Sequence, residues 1–321
     1  MRRNILEMRL PTIFFHISSG EAYVKPRYGW PVYYYQHTHR ARIPSSVAIN
    51  FTVVGQTGDN TYALDVEDGA YYRWFESNDL NVTQRIYAHR EQRSLMVSEL
   101  TIEATTGLNA TIALHNNAGN KSIDINFNVV NDSTIPQNAN AVTGKINTTE
   151  TESSPKPTIA KVWSKIPTTI SAIGRKTFYF ITAVSSTLDS KDPLKSALES
   201  WDVAMKSPEK LFPSHKNAWN KLWERGRITM EGDSKLSQAV STSIYYILSS
   251  TRHDWIYGLS PGGLPGGEEY LGHTFWDQDI WMYPPVLMLH NDLGKASVTY
   301  RYKRLSLNLS KIPNHRIVSM Y

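Results

Sequence analysis

The chain has no cysteine among its 321 residues, which excludes structural disulfides, thiolate zinc sites and cysteine nucleophiles. It also lacks an apolar run near the roughly 18 residues that a transmembrane helix needs, so no membrane span is expected. Neither sign of charge dominates, because 34 basic residues stand against 29 acidic ones and the basic residues are scattered. Such a diffuse excess is not typical of a nucleic-acid-binding surface, so no nucleic-acid partner is expected.

The start of the sequence does not resemble a secretory signal. Its basic residues Arg2 and Arg3 are followed by a short apolar stretch that Glu7 and Arg9 interrupt, which favours a cytosolic protein. Seven Asn-x-Ser/Thr sequons favour a lysosomal or secreted protein instead, unless they arise by chance in an Asn- and Thr-rich chain. The sequence leaves the compartment open. These sequons begin at Asn50, Asn81, Asn109, Asn120, Asn131, Asn147 and Asn308.

What the chain does contain is apolar and aromatic side chains in strand-like patterns. Hydrophobic residues make up 40% of it, with 9 Trp, 18 Tyr and 9 Phe, which is typical of a packed globular protein. Ile123, Ile125, Phe127 and Val129 alternate with polar residues, as in a strand with one exposed face. Similar runs at 47–54, 71–75, 82–88, 95–102, 110–114 and 177–184 predict an antiparallel β-sandwich. Residues 131–157, rich in Asn, Thr, Ser and Pro, are predicted to form a long surface loop.

After Asp192 the apolar spacing becomes helical. Asp192 is a predicted N-cap, with Pro193 at the first helical position. A second helix is predicted from Ser207 to about Gly226, and a third begins at Asp233 or Ser234. The third carries one apolar stripe, formed by Leu236, Val240, Ile244, Ile247 and Leu248. Strands first and helices afterwards indicate segregated β and α domains, and they argue against alternating βαβ units.

Residues 257–267 contain five glycines and two prolines, which predict an irregular loop. A phosphate-binding loop needs a Lys and a Ser or Thr after its last glycine, whereas Glu268 and Glu269 follow here and would repel phosphate. Glu268, Glu269 and His273 also lack the spacing of a known metal site. We therefore expect neither a nucleotide nor a metal or other cofactor.

The sequence GHTFWDQDIWMYPP at 272–285 places aromatic rings and carboxylates directly behind this loop. The combination suits a sugar, because an aromatic ring covers the C–H face of a pyranose while carboxylates accept hydrogen bonds from its hydroxyls. The alternative is structural: Asp277 caps a helix, and Trp281 and Met282 belong to its core.

These residues resemble a known family. SPGGL at 260–264, together with GHTFWDQDIWM at 272–282, is similar to the start of the catalytic domain in glycoside hydrolase family 65, above all in its animal acid-trehalase-like branch. Weaker similarity extends upstream through THRA at 38–41, IYAHR at 86–90, AWNKLW at 218–223 and SIYYIL at 243–248. The resemblance covers about residues 37–305.

The resemblance implies an N-terminal antiparallel β-sandwich, a helical linker and the first helices of an (α/α)6 barrel. It implies domains at 21–190, 191–232 and 233–305, with 1–20 and 306–321 unassigned. It further implies an inverting α-glucosidase that releases glucose from glucosylgalactosyl-hydroxylysine of collagen-type glycans. Trp276 and Asp277 are implied to bind the released glucose, with His273 and Asp279 behind them.

One departure from the family pattern affects activity. An inverting glycosidase needs a carboxylic acid and a carboxylate base, and the family's acid is expected beyond the last residue of this chain. Three helices after Asp233 also fall short of a twelve-helix barrel. We therefore expect a truncated, inactive chain that contains no catalytic residue and leaves apolar helix faces exposed. Alternatives are an acid trehalase or disaccharide phosphorylase of the same family, or a non-catalytic carbohydrate-binding or interaction protein.

Overall fold

The computed structural model describes residues 43–105, 107–116, 122, 124–147, 156–254, 258–259, 274 and 276–309, with side chains as far as residue 303. The chain divides into two compact units, and the division in sequence falls between Glu224 and Arg225. Segment 1–20 and most of segment 306–321 lie outside the described residues.

The first unit is built on antiparallel strands, of which the described residues form eleven. A small sheet has the strand order β1-β6-β10, and a large sheet has the order β2-β3-β4-β5-β11-β9-β8-β7. The strands are β1 Ile49–Val53, β2 Asp59–Asp65, β3 Ala70–Glu76, β4 Leu80–Ala88, β5 Leu95–Ala104, β6 Asn109–Asn116, β7 Ile125–Val129, β8 Ala139–Ile146, β9 Thr158–Ser164, β10 Thr169–Ile173 and β11 Arg175–Ser186.

The two sheets pack face to face through a hydrophobic cluster. Phe51 of β1 and Ile112 of β6 meet Leu100 and Ile102 of β5, and all four side chains are at most 1% exposed. Because strand side chains alternate between faces, the odd-numbered residues of β5, such as Leu95 and Val97, point to the opposite face of the large sheet. The first unit is therefore a β-sandwich, as the alternating apolar pattern predicted.

Helix α1, Pro193–Lys206, covers the opposite face of the large sheet. The Asp192 carboxylate accepts a hydrogen bond from the backbone N–H of Lys195 at 3.1 Å, so the predicted N-cap is confirmed. Trp201 of α1 packs among Val97 and Ile181, and its indole N–H donates to the carbonyl of Ile181 at 3.2 Å. A 3₁₀ turn, Pro208–Lys210, leads into helix α2, Leu211–Arg225.

Most strands lie where the apolar alternation predicted them, but the loop predicted at 131–157 was wrong. Strand β8 occupies the middle of that segment and pairs with both β7 and β9. Its residues on the α1 side of the sheet include Ala139 and Ala141, and such small side chains give little hydrophobic signal. They fit because α1 and β9 pack closely at this end of the sheet, where Ala160 and Ala197 are fully buried. Strands β2, β9 and β10 were also missed.

The second unit is helical in its described part. Helix α3 spans Ser234–Ser249, with Asp233 as the predicted N-cap, and α4 spans Tyr283–Leu289 and α5 Asn291–Leu309. The apolar stripe predicted on α3 is buried only at Leu248, and Leu236 is 44% exposed. A π-helical turn, Gln278–Met282, precedes α4. No helix in the described residues is both long enough and apolar enough to cross a membrane.

Candidate sugar-binding site

The candidate site lies in the second unit, where the chain enters the π-helical turn. Trp276 lies two residues before this turn, its carbonyl accepts hydrogen bonds from the backbone N–H groups of Asp279 and Ile280, and its indole is 64% exposed. The turn is closed by a bond from the N–H of Tyr283 to the carbonyl of Gln278, five residues back. Single π-helical turns are frequent at functional sites in proteins.

Asp277 lies beside this exposed ring, yet its side chain is only 7% exposed. The indole N–H of Trp281 donates to its Oδ1 at 3.1 Å, and no other described side chain bonds to this carboxylate. An ionised carboxylate has about four acceptor positions. Within the described residues, Asp277 is therefore a buried acceptor with most of its hydrogen-bonding capacity unused, and such an acceptor suits a polyhydroxylated ligand.

Asp277 does not have the geometry of a helix-capping residue, which was the structural alternative for it. Its backbone is already helical, with φ −52° and ψ −37°, and its side chain makes no capping hydrogen bond. A helix-capping residue instead has non-helical backbone angles and accepts a bond from an N–H in the first turn. Trp281, 50% exposed, is not a core residue either, whereas Met282 is buried at 7%.

Asp279 connects the turn to α5. Its Oδ2 accepts two hydrogen bonds from the guanidinium of Arg301, from Nε at 2.9 Å and from Nη2 at 2.6 Å. A bidentate contact of this kind fixes both partners in orientation. Asp279 thus links the turn to α5 through a charge-assisted contact.

Gln278 was not singled out from the sequence, although it is fully buried. Its Oε1 accepts a hydrogen bond from the backbone N–H of Leu259 at 2.7 Å, and its Nε2 donates to Oδ1 of Asp279 at 3.2 Å. Gly258 approaches so closely that a Cβ there would lie 2.8 Å from this Oε1 and 2.2 Å from Oγ1 of Thr274. Only glycine fits at 258, and Gln278 anchors Leu259 near the start of the glycine-rich segment 257–267.

The remaining predicted site residues are dispersed. His273 and Asn120 lie outside the described residues, as does the side chain of Asn308. Asn81, Asn109, Asn131 and Asn147 are exposed, whereas Asn50 is half-buried and its side-chain oxygen accepts a hydrogen bond from the guanidinium of Arg73. In the parts of the chain with described side chains, no cluster of three or more acidic or histidine residues is placed to hold a metal ion.

Two buried histidines in the first unit form a second cluster of titratable groups. Nδ1 of His215 on α2 accepts a hydrogen bond from the N–H of Arg90 at 3.0 Å, and its Nε2–H donates to the carbonyl of Asp68 at 2.8 Å. Burial, with the neighbouring His89 as a smaller cause, lowers the pKa of His215 to about 3. His89 is bonded similarly, through Gln92 and Leu211. Both rings have their nitrogens engaged, so they connect α2 to strand ends and leave no atom for a ligand.

No protein-family model matches the chain. Among curated proteins, it is 32% identical over 282 residues to the protein-glucosylgalactosylhydroxylysine glucosidase of Gallus gallus, a match covering 84% of this chain and 39% of the relative. It is also 40% identical over 103 residues to a kojibiose hydrolase of Flavobacterium johnsoniae, covering 32% of this chain and 15% of that protein.

Among solved structures, a protein described as a kojibiose phosphorylase from human microbiome has a similar fold. The TM-score is 0.61 at 15% identity, over 84% of this chain and 40% of that one. The chain thus spans about two fifths of the length of the glucosidase and of the solved phosphorylase. The resemblance identified from the sequence motifs is confirmed, and the chain is homologous to the glucosidases and phosphorylases of glycoside hydrolase family 65.

Proposed function

We propose that the chain is part of an inverting α-glucosidase that removes glucose from glucosylgalactosyl-hydroxylysine of collagen-type glycans. The observation that carries the proposal is the pairing of the exposed Trp276 ring with the buried, singly hydrogen-bonded carboxylate of Asp277. The homology to glucosidases of that specificity supports the substrate.

In this proposal the two residues bind the glucose that is released. The Trp276 ring covers the apolar C–H face of the sugar, and Asp277 accepts hydrogen bonds from its hydroxyls. Charge-assisted bonds of this kind strengthen in a site from which water is excluded, and Asp277 is already largely shielded from water. His273 is proposed to lie behind this pair, and Asp279 to hold the turn through Arg301.

Hydrolysis with inversion needs two further carboxyl groups about 6.5 to 9.5 Å apart, one to protonate the leaving oxygen and one to activate water. We propose that these groups belong to a longer enzyme, in which α3, α4 and α5 are the first helices of an (α/α)6 barrel. The exposed apolar side chains of these helices support that arrangement. The 321-residue chain is then expected to have no turnover.

The test is glucose release from glucosylgalactosyl-hydroxylysine, measured for this chain and for an enzyme extended by further barrel helices. We expect none from the chain and turnover by the extended enzyme, with Asp277→Ala slower by roughly two or more powers of ten because the sugar loses its orienting acceptor. Asp292→Ala, which removes an exposed carboxylate paired with Arg225 in the same unit, is the matched control. A near-normal rate for Asp277→Ala contradicts the proposal.

A second candidate function retains the proposed glucose site but has a different group linked to the glucose in the substrate. The local identity to a kojibiose hydrolase, and the homology to kojibiose phosphorylases, favour a glucosyl-glucose disaccharide as substrate. Kojibiose offered to the extended enzyme with and without inorganic phosphate separates these activities. Free glucose alone indicates a hydrolase, and glucose 1-phosphate indicates a phosphorylase.

A further inference from the structure

We propose that Trp281 is a positioning residue that orients the Asp277 carboxylate for the sugar, an inference that rests on the proposed glucose site. The indole N–H of Trp281 donates to Oδ1 of Asp277 at 3.1 Å. Of the described side chains, only this indole donates to the carboxylate, and its hydrogen bond determines which oxygen is occupied and which is offered.

The geometry of the turn makes this contact possible. Trp281 follows Asp277 by four residues, a spacing that places side chains on the same side of a helical turn. The π-helical turn begins directly after Asp277, and Gln278 and Asp279 fix it through the N–H of Leu259 and the guanidinium of Arg301. The backbone under both partners is therefore held, and the indole N–H can limit rotation of the carboxylate.

This hydrogen bond has a consequence for binding. A carboxylate free to rotate must lose that freedom when it binds a hydroxyl pair, whereas a carboxylate held at Oδ1 has lost it beforehand. Oδ2, together with the remaining acceptor position of Oδ1, then receives the sugar hydroxyls. Trp281 thus acts on the sugar through Asp277, while Trp276 contacts the sugar directly.

The inference is tested by a double-mutant cycle on the full 321-residue chain, with methyl α-glucoside as the probe and its Kd measured by NMR titration. Trp281→Phe keeps an aromatic ring and removes the N–H, and we expect about a five-fold weaker Kd. Asp277→Ala should weaken binding at least ten-fold. In the Asp277→Ala background, Trp281→Phe should cause no additional change, because residues that act through one contact are not additive. Trp74→Phe, in the first unit, is the matched control and should leave the Kd unchanged.

A second readout does not depend on the ligand. The indole N–H proton of Trp281, identified by its disappearance in Trp281→Phe, should shift upfield in Asp277→Ala because it loses a charged acceptor. An unchanged resonance, an unchanged Kd for Trp281→Phe, or an equal loss in both backgrounds would overturn the positioning role. If the wild-type chain does not bind the glucoside, the proposed glucose site and this inference fail together. Binding that depends on Asp277 but not on Trp281 would contradict the positioning role of Trp281 and would still support the glucose site.

Discussion

At residue 69 the backbone is under two separate constraints. Gly69 has φ +62°, a conformation that side chains with a Cβ rarely adopt, and a Cβ there would lie 2.2 Å from the indole nitrogen of Trp219. The first constraint costs an L-residue about 1 to 2 kcal/mol. The second adds about 1 to 3 kcal/mol, because the packed α2 indole must move.

Gly69→Ala is therefore expected to lower the free energy of unfolding of the first unit by about 2 to 5 kcal/mol. Gly55→Ala is its matched control, because Gly55 has a similar φ of +75° but nothing within 4 Å of its Cβ position. Urea denaturation of both variants measures the difference. Equal losses would show that the close approach of Trp219 contributes nothing.

His215 makes the first unit sensitive to acid. Its pKa is about 3 in the folded chain, below the ordinary value near 6.5, so the unfolded chain binds the proton more readily. The stabilisation by neutral His215 is complete above about pH 6.5 and declines as pH falls toward 3, by up to about 1.4 kcal/mol per pH unit. His89, whose pKa burial also lowers, acts in the same direction.

His215→Asn should lower stability by about 2 kcal/mol at pH 7.5, since it disrupts bonds to buried backbone groups, and it should flatten the decline below pH 6.5. His115→Asn, an exposed histidine on β6, is the control and should leave both quantities near wild type. The measurement is the urea midpoint at intervals from pH 8 to pH 4. A decline in His215→Asn as steep as in wild type would assign the acid sensitivity to other groups.

At the scale of elements, α1 depends on a single capping residue. The Asp192 side chain accepts a hydrogen bond from the N–H of Lys195. The first four N–H groups of a helix have no carbonyl acceptor within the helix, so they need water or a side-chain acceptor. Asp192→Ala should lower stability by about 1 kcal/mol. Asp202→Ala, which removes an exposed pair with Lys206 in the same helix, should cost less than about 0.5 kcal/mol. Thermal unfolding of both variants tests this order.

The elements also show how much of the fold could be predicted from the sequence. Helices α1 and α3 were predicted because their caps are adjacent in sequence to their apolar stripes, and β5 because its side chains are large. Strand β2 escaped prediction because it is a largely exposed edge strand, and β8 because its side chains on the α1 side of the sheet are small. Edge strands and closely packed strands carry little hydrophobic pattern, since neighbours and not their own residues determine their place.

The same limit applies to the candidate site. Trp276 and Asp277 were identified from the local motif, and the i, i+4 spacing of Asp277 and Trp281 was also present in the sequence. The contacts of Gln278 with Leu259 and of Asp279 with Arg301 join residues 19 and 22 positions apart. Such contacts depend on how the chain folds back, which local spacing does not encode.

At the scale of the whole molecule, most of the large apolar side chains that are exposed among the described residues belong to the second unit. Met288 is 84% exposed, Tyr302 77% and Ile280 66%. Exposed apolar surface of this kind binds hydrophobic dyes. The chain should therefore increase anilinonaphthalene sulfonate fluorescence, and the double variant Ile280→Gln, Met288→Gln should reduce the increase by about half or more. Val54→Gln with Ile173→Gln, two exposed positions of the first unit, should leave it unchanged.

Strand β5 is buried on both of its faces over residues 95–100, against the small sheet on one face and against α1 with the start of α2 on the other. If either the small sheet or the helical layer separated from β5, one of its apolar faces would become exposed to water. The three layers should consequently melt in a single calorimetric peak, and the amide hydrogens of β5 should be among the last to exchange with deuterium. A destabilising substitution in either outer layer would then lower the stability of all three layers of the first unit.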